Sequence, residues 1–469
     1  MIGRAETTPV LRCGALELTR SDDAWLTPAA AEYALQRLWR LVSGGESRES
    51  GSVRLRFNAA SRADVDALLG TRPGALEWKP AAGLLPPGAS LPAAIDRLPL
   101  LLSGDVDGAV IAASGEAIDV ATDLVSATFL LLSRWEESVT PQRDDRGRVP
   151  SGASLAARQG FLDRPVLDQW AMVLRAWLST GESGFNPAPT GFQVKLSHDV
   201  DAPLRYDRAA ALALYPLGAV RRGGPSSGLR EMATGMRSLR DWRADPYYRG
   251  MRHLMAVSEA NGLKSAFYFK TSDRGPLDTG YDLAVEPYRS ILAEVVDRGH
   301  EVGFHPGFDA FDHPGLFAEE KRRLDVALGH SSYGGRHHHL RFSAPETWAM
   351  WEAHGLSYDS TVGYSDAPGF RCGTCHPFPV FDFVADRPLE LVEVPLVVME
   401  TTLFSYMHLP ALQAQEMILT LAERCREVGG VFTLLWHNSS FHGSYAGWAD
   451  IYQPVVEQLA RIAGNATAA

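Results

Sequence analysis

From residue 193 onward the chain alternates between short apolar runs and longer stretches whose apolar positions recur every three or four residues. Residues 193–197, 265–270, 301–305, 338–342, 391–398 and 431–436 read as strands. Residues 246–261, 285–298, 348–354, 412–428 and 451–462 read as helices. Strand followed by helix, repeated, predicts parallel strands with crossover helices. An open doubly wound sheet would share this pattern, but no G-x-G-x-x-G turn or P-loop marks a nucleotide site, which favours a barrel. Earlier in the chain, 52–57 alternates like a strand, while 119–137 and 165–178 have helical spacing. A Gly/Pro/Asn-rich run at 180–191 reads as a linker. The expected layout is a mixed α/β domain over 1–185 and a distorted (β/α) barrel over 192–469.

Length and composition narrow the partners. The 469 residues can hold two or three domains, and 45% hydrophobic with 22% charged residues is ordinary for a globular chain. A net charge of −11 argues against nucleic acid or an anionic membrane as the main partner. Four cysteines are too few for a disulfide scaffold. Residues 1–16 lack an apolar core of signal-peptide length, and the most apolar stretch, 98–113, is broken by Asp105 and Asp107. The expectation is a cytoplasmic protein with no transmembrane segment.

All fourteen histidines lie at or after His198. Histidine is the commonest metal ligand and a frequent proton carrier, so the chemistry is expected in the second part. The first part shows no catalytic constellation. Its Ser-Gly-Asp-Val-Asp-Gly at 103–108 lacks the later ligands of a calcium loop and reads as a turn.

Reactive side chains of a parallel barrel gather where strands end. The first strand ends in His198-Asp-Val-Asp201, and alternation puts Asp199 and Asp201 on one face and His198 on the other. Two adjacent carboxylates repel unless a cation or proton separates them. A second strand, Glu301-Val-Gly-Phe-His305, ends in histidine, with Asp309, Asp312 and His313 close behind. The apolar strand at 431–436 ends at His437-Asn438.

In order, these segments resemble the polysaccharide deacetylase family (NodB-like, carbohydrate esterase family four) over about 193–462. The closer likeness is to a divergent branch with His-Asp-Val-Asp, Gly-His-Glu-x-Gly-x-His-Pro, Arg-x-His-x-Leu-Arg-Phe, Tyr-Asp-Ser-Thr-x-Gly-Tyr and Trp-His-Asn. They stand here at 198–201, 299–306, 336–342, 358–364 and 436–438. That branch often carries an N-terminal domain of unknown role with a Ser-Arg-Trp-Glu-Glu segment, found here at 133–137. The resemblance implies Asp199 as general base, Asp201 and His305 as metal ligands, Arg341 as the arginine that orients the base, and His437 as general acid. It implies a divalent metal, zinc foremost, and removal of an acetyl group from a sugar of a surface polysaccharide or its precursor.

One departure stands out. The family places a second histidine four residues after the first, and that position is Asp309 here. Aspartate can ligate zinc, so Asp309 is expected as third ligand, with His313 or His198 as substitutes. In a strand, at most His337 and His339 of the triple histidine could share a site. Cys372 and Cys375 are expected as reduced thiols in a loop near the barrel mouth. Tyr364, Phe370, Tyr406 and Trp436 are candidates to stack on a sugar. An inactive barrel that binds glycan or a partner protein, and an amidase acting on a non-sugar amide, remain the alternatives.

Overall fold

The computed structural model describes residues 9–45, 53–103, 109–115, 117–181, 185, 187, 190–443 and 446–464. The acidic turn at 104–108 and much of the expected linker lie outside the described residues. The described chain is mixed α/β, with two five-stranded sheets and many helices.

The first sheet is built from β1 (Val10–Cys13), β2 (Leu16–Thr19), β3 (Arg54–Asn58), β6 (Ile111–Ser114) and β7 (Ala117–Val120), in the order β1-β2-β3-β7-β6. β4 (Trp78–Pro80) and β5 (Arg97–Pro99) pair apart from it. The inward positions Leu16, Leu18, Leu55, Phe57, Ile118 and Val120 are buried on one face. Amphipathic helices Pro28–Val42 and Val166–Gly181 share that core.

The expected helix over 119–137 is divided. Residues 117–120 pair as β7, and the helix proper is Leu124–Leu132, every residue of which is buried. Leu124, Val125 and Phe129 belong to the first core, whereas Ala127, Leu130, Leu131 and Leu132 pack into the core of the second part. The helix stops because Arg134 takes a left-handed φ of 56° and turns its guanidinium inward. There it donates to the Leu131 and Arg371 carbonyls and to Glu137, and Arg371 forms a second pair with Glu137 at 2.6 Å. Burial alone would raise the Glu137 pKa, but Arg371 and Arg134 together hold it down at about 2. The Ser-Arg-Trp-Glu-Glu segment therefore ties the first part to the second through a buried ion network.

The second sheet runs β10-β9-β8-β15-β14, all parallel: β8 (Gln193–Val200), β9 (Ser265–Lys270), β10 (Glu301–His305), β14 (Val398–Met399) and β15 (Val431–Leu435). Beyond β10, Gly335 bridges Phe304 on one side and Asp359 on the other. It must be glycine, since a Cβ there would sit 1.9 Å from the Phe304 carbonyl oxygen. Asp359 lies in β11 (Tyr358–Asp359), which pairs with β13 (Arg387–Glu393), while β12 (Phe378–Asp382) adds antiparallel to β13. The same chain continues from β13 into β14 and so back onto β15.

Between β8 and helix Pro246–Ala260 stands a helical hairpin, Ala211–Gly223 and Pro225–Arg240. Its large apolar side chains point outward, the reverse of a core-facing pair. Among the described residues no helix is long and apolar enough to cross a membrane.

Candidate metal centre

Each parallel strand of the second sheet delivers its last side chains to one end. At the end of β8 the pleat separates two functions. His198 points into the core, bonded to the Trp436 carbonyl at 2.7 Å and Ser265 at 3.0 Å, and burial lowers its pKa to about 3. Asp199 and Asp201 face the other way, into the cleft.

Asp201, His305 and His338 bring ligand atoms within 4.8 Å of one another, a group that could hold a metal ion. His305 Nε2 is 3.2 Å and His338 Nε2 3.1 Å from the same Asp201 oxygen. Bonds of about 2.0–2.2 Å to one ion would put neighbouring donors about 3.0–3.5 Å apart, so the set already has the spacing an ion requires. The far nitrogens hold both rings in place. His305 Nδ1 donates to the Arg336 carbonyl at 2.6 Å, and His338 Nδ1 to Asp278 at 2.8 Å, so both Nε2 atoms face Asp201. Burial would raise the Asp201 pKa, but His338, His305 and Lys270 hold the carboxyl well below its ordinary range.

Two charged groups flank this set. Asp199 accepts from Arg336 at 2.8 Å, and Arg336 is wholly buried, held further by Ser197 and by the hydroxyl and carbonyl of Ser360. His437 Nε2 stands 3.9 Å from the second Asp201 oxygen. Its Nδ1 and its backbone N–H both donate to Glu400 at 2.8 Å. Burial would lower the His437 pKa, but Glu400, Asp201 and Asp199 outweigh it and push it up to about 10.

The structure brings Asp199, Asp201, His305 and His437 together as expected, and leaves two expected residues outside. Asp309 is exposed on the single turn Phe308–Asp312, because Pro306-Gly307 ends the strand and turns Ala310 inward instead. His313 is also exposed. Arg341 does not reach Asp199: it donates to the Phe308 carbonyl and stacks on Phe308 and Phe311. Its expected place is taken by Arg336. The expected strand over 338–342 is a turn in which His339 and Leu340 have φ of 59° and 55°. Strand alternation fails there, and His338 rather than its neighbours meets Asp201. His337 is buried against Phe317 and Trp351. Asp278 and Glu400 were missed, although Glu400 follows an apolar strand as His437 does. His300 is structural, bonded to the Ser265 amide and Glu259. Of the four sugar-stacking candidates only Tyr406 lines the cleft; Tyr364, Phe370 and Trp436 are buried.

The cleft is a cavity of about 570 Å³ that contains Asp199, Asp201, His338 and His437, and Arg146 and Arg148 from the first part of the chain line its other side. A second donor group, Asp168, Cys375 and His376, sits at the opposite end, where Cys375 pairs with the first residue of β15. The cysteines are free thiols, and Cys375 is thus far from the expected place at the mouth.

Comparisons with known proteins place little beside this geometry. Residues 87–182 match a family of unknown function (DUF7033). No curated protein matches. A Mycobacterium smegmatis protein whose crystal structure is described as that of a polysaccharide deacetylase is similar over 59% of this chain and 86% of its own, at 18% identity and a TM-score of 0.38. A 4-alpha-glucanotransferase from Thermococcus litoralis is similar over 58% of this chain and 37% of its own, at 12% identity and a TM-score of 0.33.

Proposed function

We propose that residues 192–469 form a distorted barrel that removes an acetyl group, N-acetyl foremost, from a sugar of a surface polysaccharide or its precursor. In this reading the barrel closes through the run from β13 to β14, and residues 1–185 are a separate domain packed against it that lines part of the cleft with Asp145, Arg146 and Arg148 without supplying the acid or the base. The observation that carries it is one three-donor set with a buried Arg–Asp pair and a His–Glu pair beside it.

Asp201, His305 and His338 would hold the ion, and two imidazoles with one carboxylate suit zinc. Bound there, a divalent ion would supply a Lewis acid for the acetyl carbonyl and for the attacking water. Asp199, kept ionised and oriented by Arg336, takes the proton from the attacking water. His437 carries its proton through neutral pH because Glu400 stabilises the imidazolium, and gives it to the departing amine. An amine leaves poorly without that proton, so the pair matters more for amides than for esters.

One observation favours the second reading, an inactive barrel. Lys270 is buried 4.0 Å from Asp201 and 3.2 Å from Asp278, a built-in cation beside the donor set. Metal analysis of protein purified without a histidine tag, followed by acetate release from acetylated sugars, separates the two. Bound metal with acetate release supports the deacetylase, and release only from non-sugar amides supports an amidase. Absence of both metal and release supports the inactive barrel.

A further inference from the structure

Large apolar side chains of a water-exposed helix normally face the core, with polar ones outward. The helix Pro225–Arg240 reverses this. Its buried positions are Gly228, Glu231, Gly235 and Ser238. Its outward stripe is Leu229, Met232, Met236 and Leu239, with Leu229 72% and Leu239 51% exposed. The partner helix Ala211–Gly223 adds Leu214 and Leu217, 57% and 60% exposed, and Val220. The small inner residues are required by the packing: a Cβ at Gly228 would lie 2.3 Å from Val220, and one at Gly235 2.5 Å from Leu212.

Charge follows the same surface. Arg221, Arg222, Arg230, Arg237 and Arg240 lie on the hairpin, and none has a carboxylate partner among the described residues. The only acid between residues 211 and 240, Glu231, is turned inward onto Arg205, Tyr206 and His442. A chain of net charge −11 thus concentrates unpaired arginine beside its exposed leucine and methionine.

We infer that this hairpin is a docking surface for an anionic lipid bilayer. Leucine and methionine would enter the headgroup boundary while the flanking arginines reach lipid phosphates. Charge selects this occupant over a second copy of the chain. A two-fold contact would set one copy's arginines against the other's. No described helix can cross the bilayer, so the hairpin lies on its surface. It is rooted at the rim of the cleft: Glu231 clasps Arg205 and Tyr206, which follow Asp201 in the chain, and His442, which follows His437. Docking would therefore hold the cleft at the membrane, where its substrate class would be a glycan attached to lipid or laid on the bilayer.

The test is co-sedimentation of the full chain with vesicles of phosphatidylcholine, alone or mixed with phosphatidylglycerol. Strong binding to the mixed vesicles, weakened by salt, is expected. Joint replacement Arg230→Gln, Arg237→Gln and Arg240→Gln should weaken it by roughly five-fold per arginine. Joint replacement Leu229→Ser, Met236→Ser and Leu239→Ser should abolish it. Leu412, 78% exposed on another helix, supplies the control: Leu412→Ser should bind like the parent chain. Absence of binding to either vesicle, or binding that ignores salt and both hairpin variants, overturns the inference. A dimer that the leucine and methionine replacements dissolve overturns it too, in favour of self-association. Vesicle binding needs no turnover, so its failure leaves the reading of the metal centre standing.

Discussion

Two groups of donors, at opposite ends of the second sheet, meet the same distance test and differ in how their other hydrogen bonds are used. Near the ends of β8 and β10, the Arg336 carbonyl and Asp278 take the outer nitrogens of His305 and His338, so both inner nitrogens converge on Asp201. Beside the start of β15, Asp168 is already occupied: one oxygen accepts from Thr374 at 2.7 Å and the other from the Cys375 amide at 3.0 Å. His376 meanwhile bonds the Val428 carbonyl. The first group meets at one carboxylate oxygen in the cleft, whereas both oxygens of Asp168 are taken by the loop. Proximity identifies both, and the surrounding shell tells them apart.

The contrast breaks most visibly at His338. Replacement His338→Ala should empty the centre and abolish acetate release, whereas Cys375→Ala should leave metal content unchanged. Atomic absorption on both variants checks this, and metal lost from the cysteine variant instead would reverse the two assignments. Asp199→Asn comes next. It should keep the metal while hydrolysis falls by roughly 10²–10⁴-fold, the range for a positioned acid–base group. Full activity in this variant would remove Asp199 from the mechanism.

A smaller effect is expected at Glu400. His437 is raised from 6.5 to about 10 in the metal-free protein, so the stability its charged form contributes is complete below about 6.5 and is lost as pH rises through about 10. Glu400→Gln should move that loss, and the alkaline limb of activity, toward 6.5. An NMR titration of His437 that does not move would contradict the pairing. The smallest effect belongs to the other end of the sheet. Asp168→Ala should leave acetate release intact and cost about 1–3 kcal/mol, the penalty of unpaired buried donors, read by denaturant unfolding.

How much of this was legible depended on where geometry is local. Alternation along β8 separates Asp199 and Asp201 from His198, and His305 and His437 sit where strands end. Those four positions follow from sequence pattern alone. The third donor does not. Counting four residues past His305 assumes that the chain keeps one spacing, and Pro306-Gly307 redirects it so that Asp309 faces water. The actual donor arrives from His338, placed by Gly335 squeezed against Phe304 and by left-handed backbone at His339 and Leu340. Arg336 takes the place expected of Arg341 because the resemblance matched the arginine by motif position, and beyond the turn at 338–340 Arg341 bonds Phe308 instead. The hairpin at 211–240 carries helical apolar spacing, at Leu229, Met232, Met236 and Leu239, but nothing in the sequence shows that this stripe faces out. In the first part, 119–137 looked like one helix because nothing local shows that Arg134 is drawn inward by Glu137 and the Arg371 carbonyl.

The central claim is that Asp201, His305 and His338 hold one divalent ion. Metal stoichiometry of the tag-free chain beside its His338→Ala and Asp309→Asn variants tests it most directly. One ion per chain is expected in the parent and in Asp309→Asn, and none in His338→Ala. Retention of the ion by His338→Ala with its loss from Asp309→Asn, or a parent chain that takes up no ion when zinc is supplied, would contradict it.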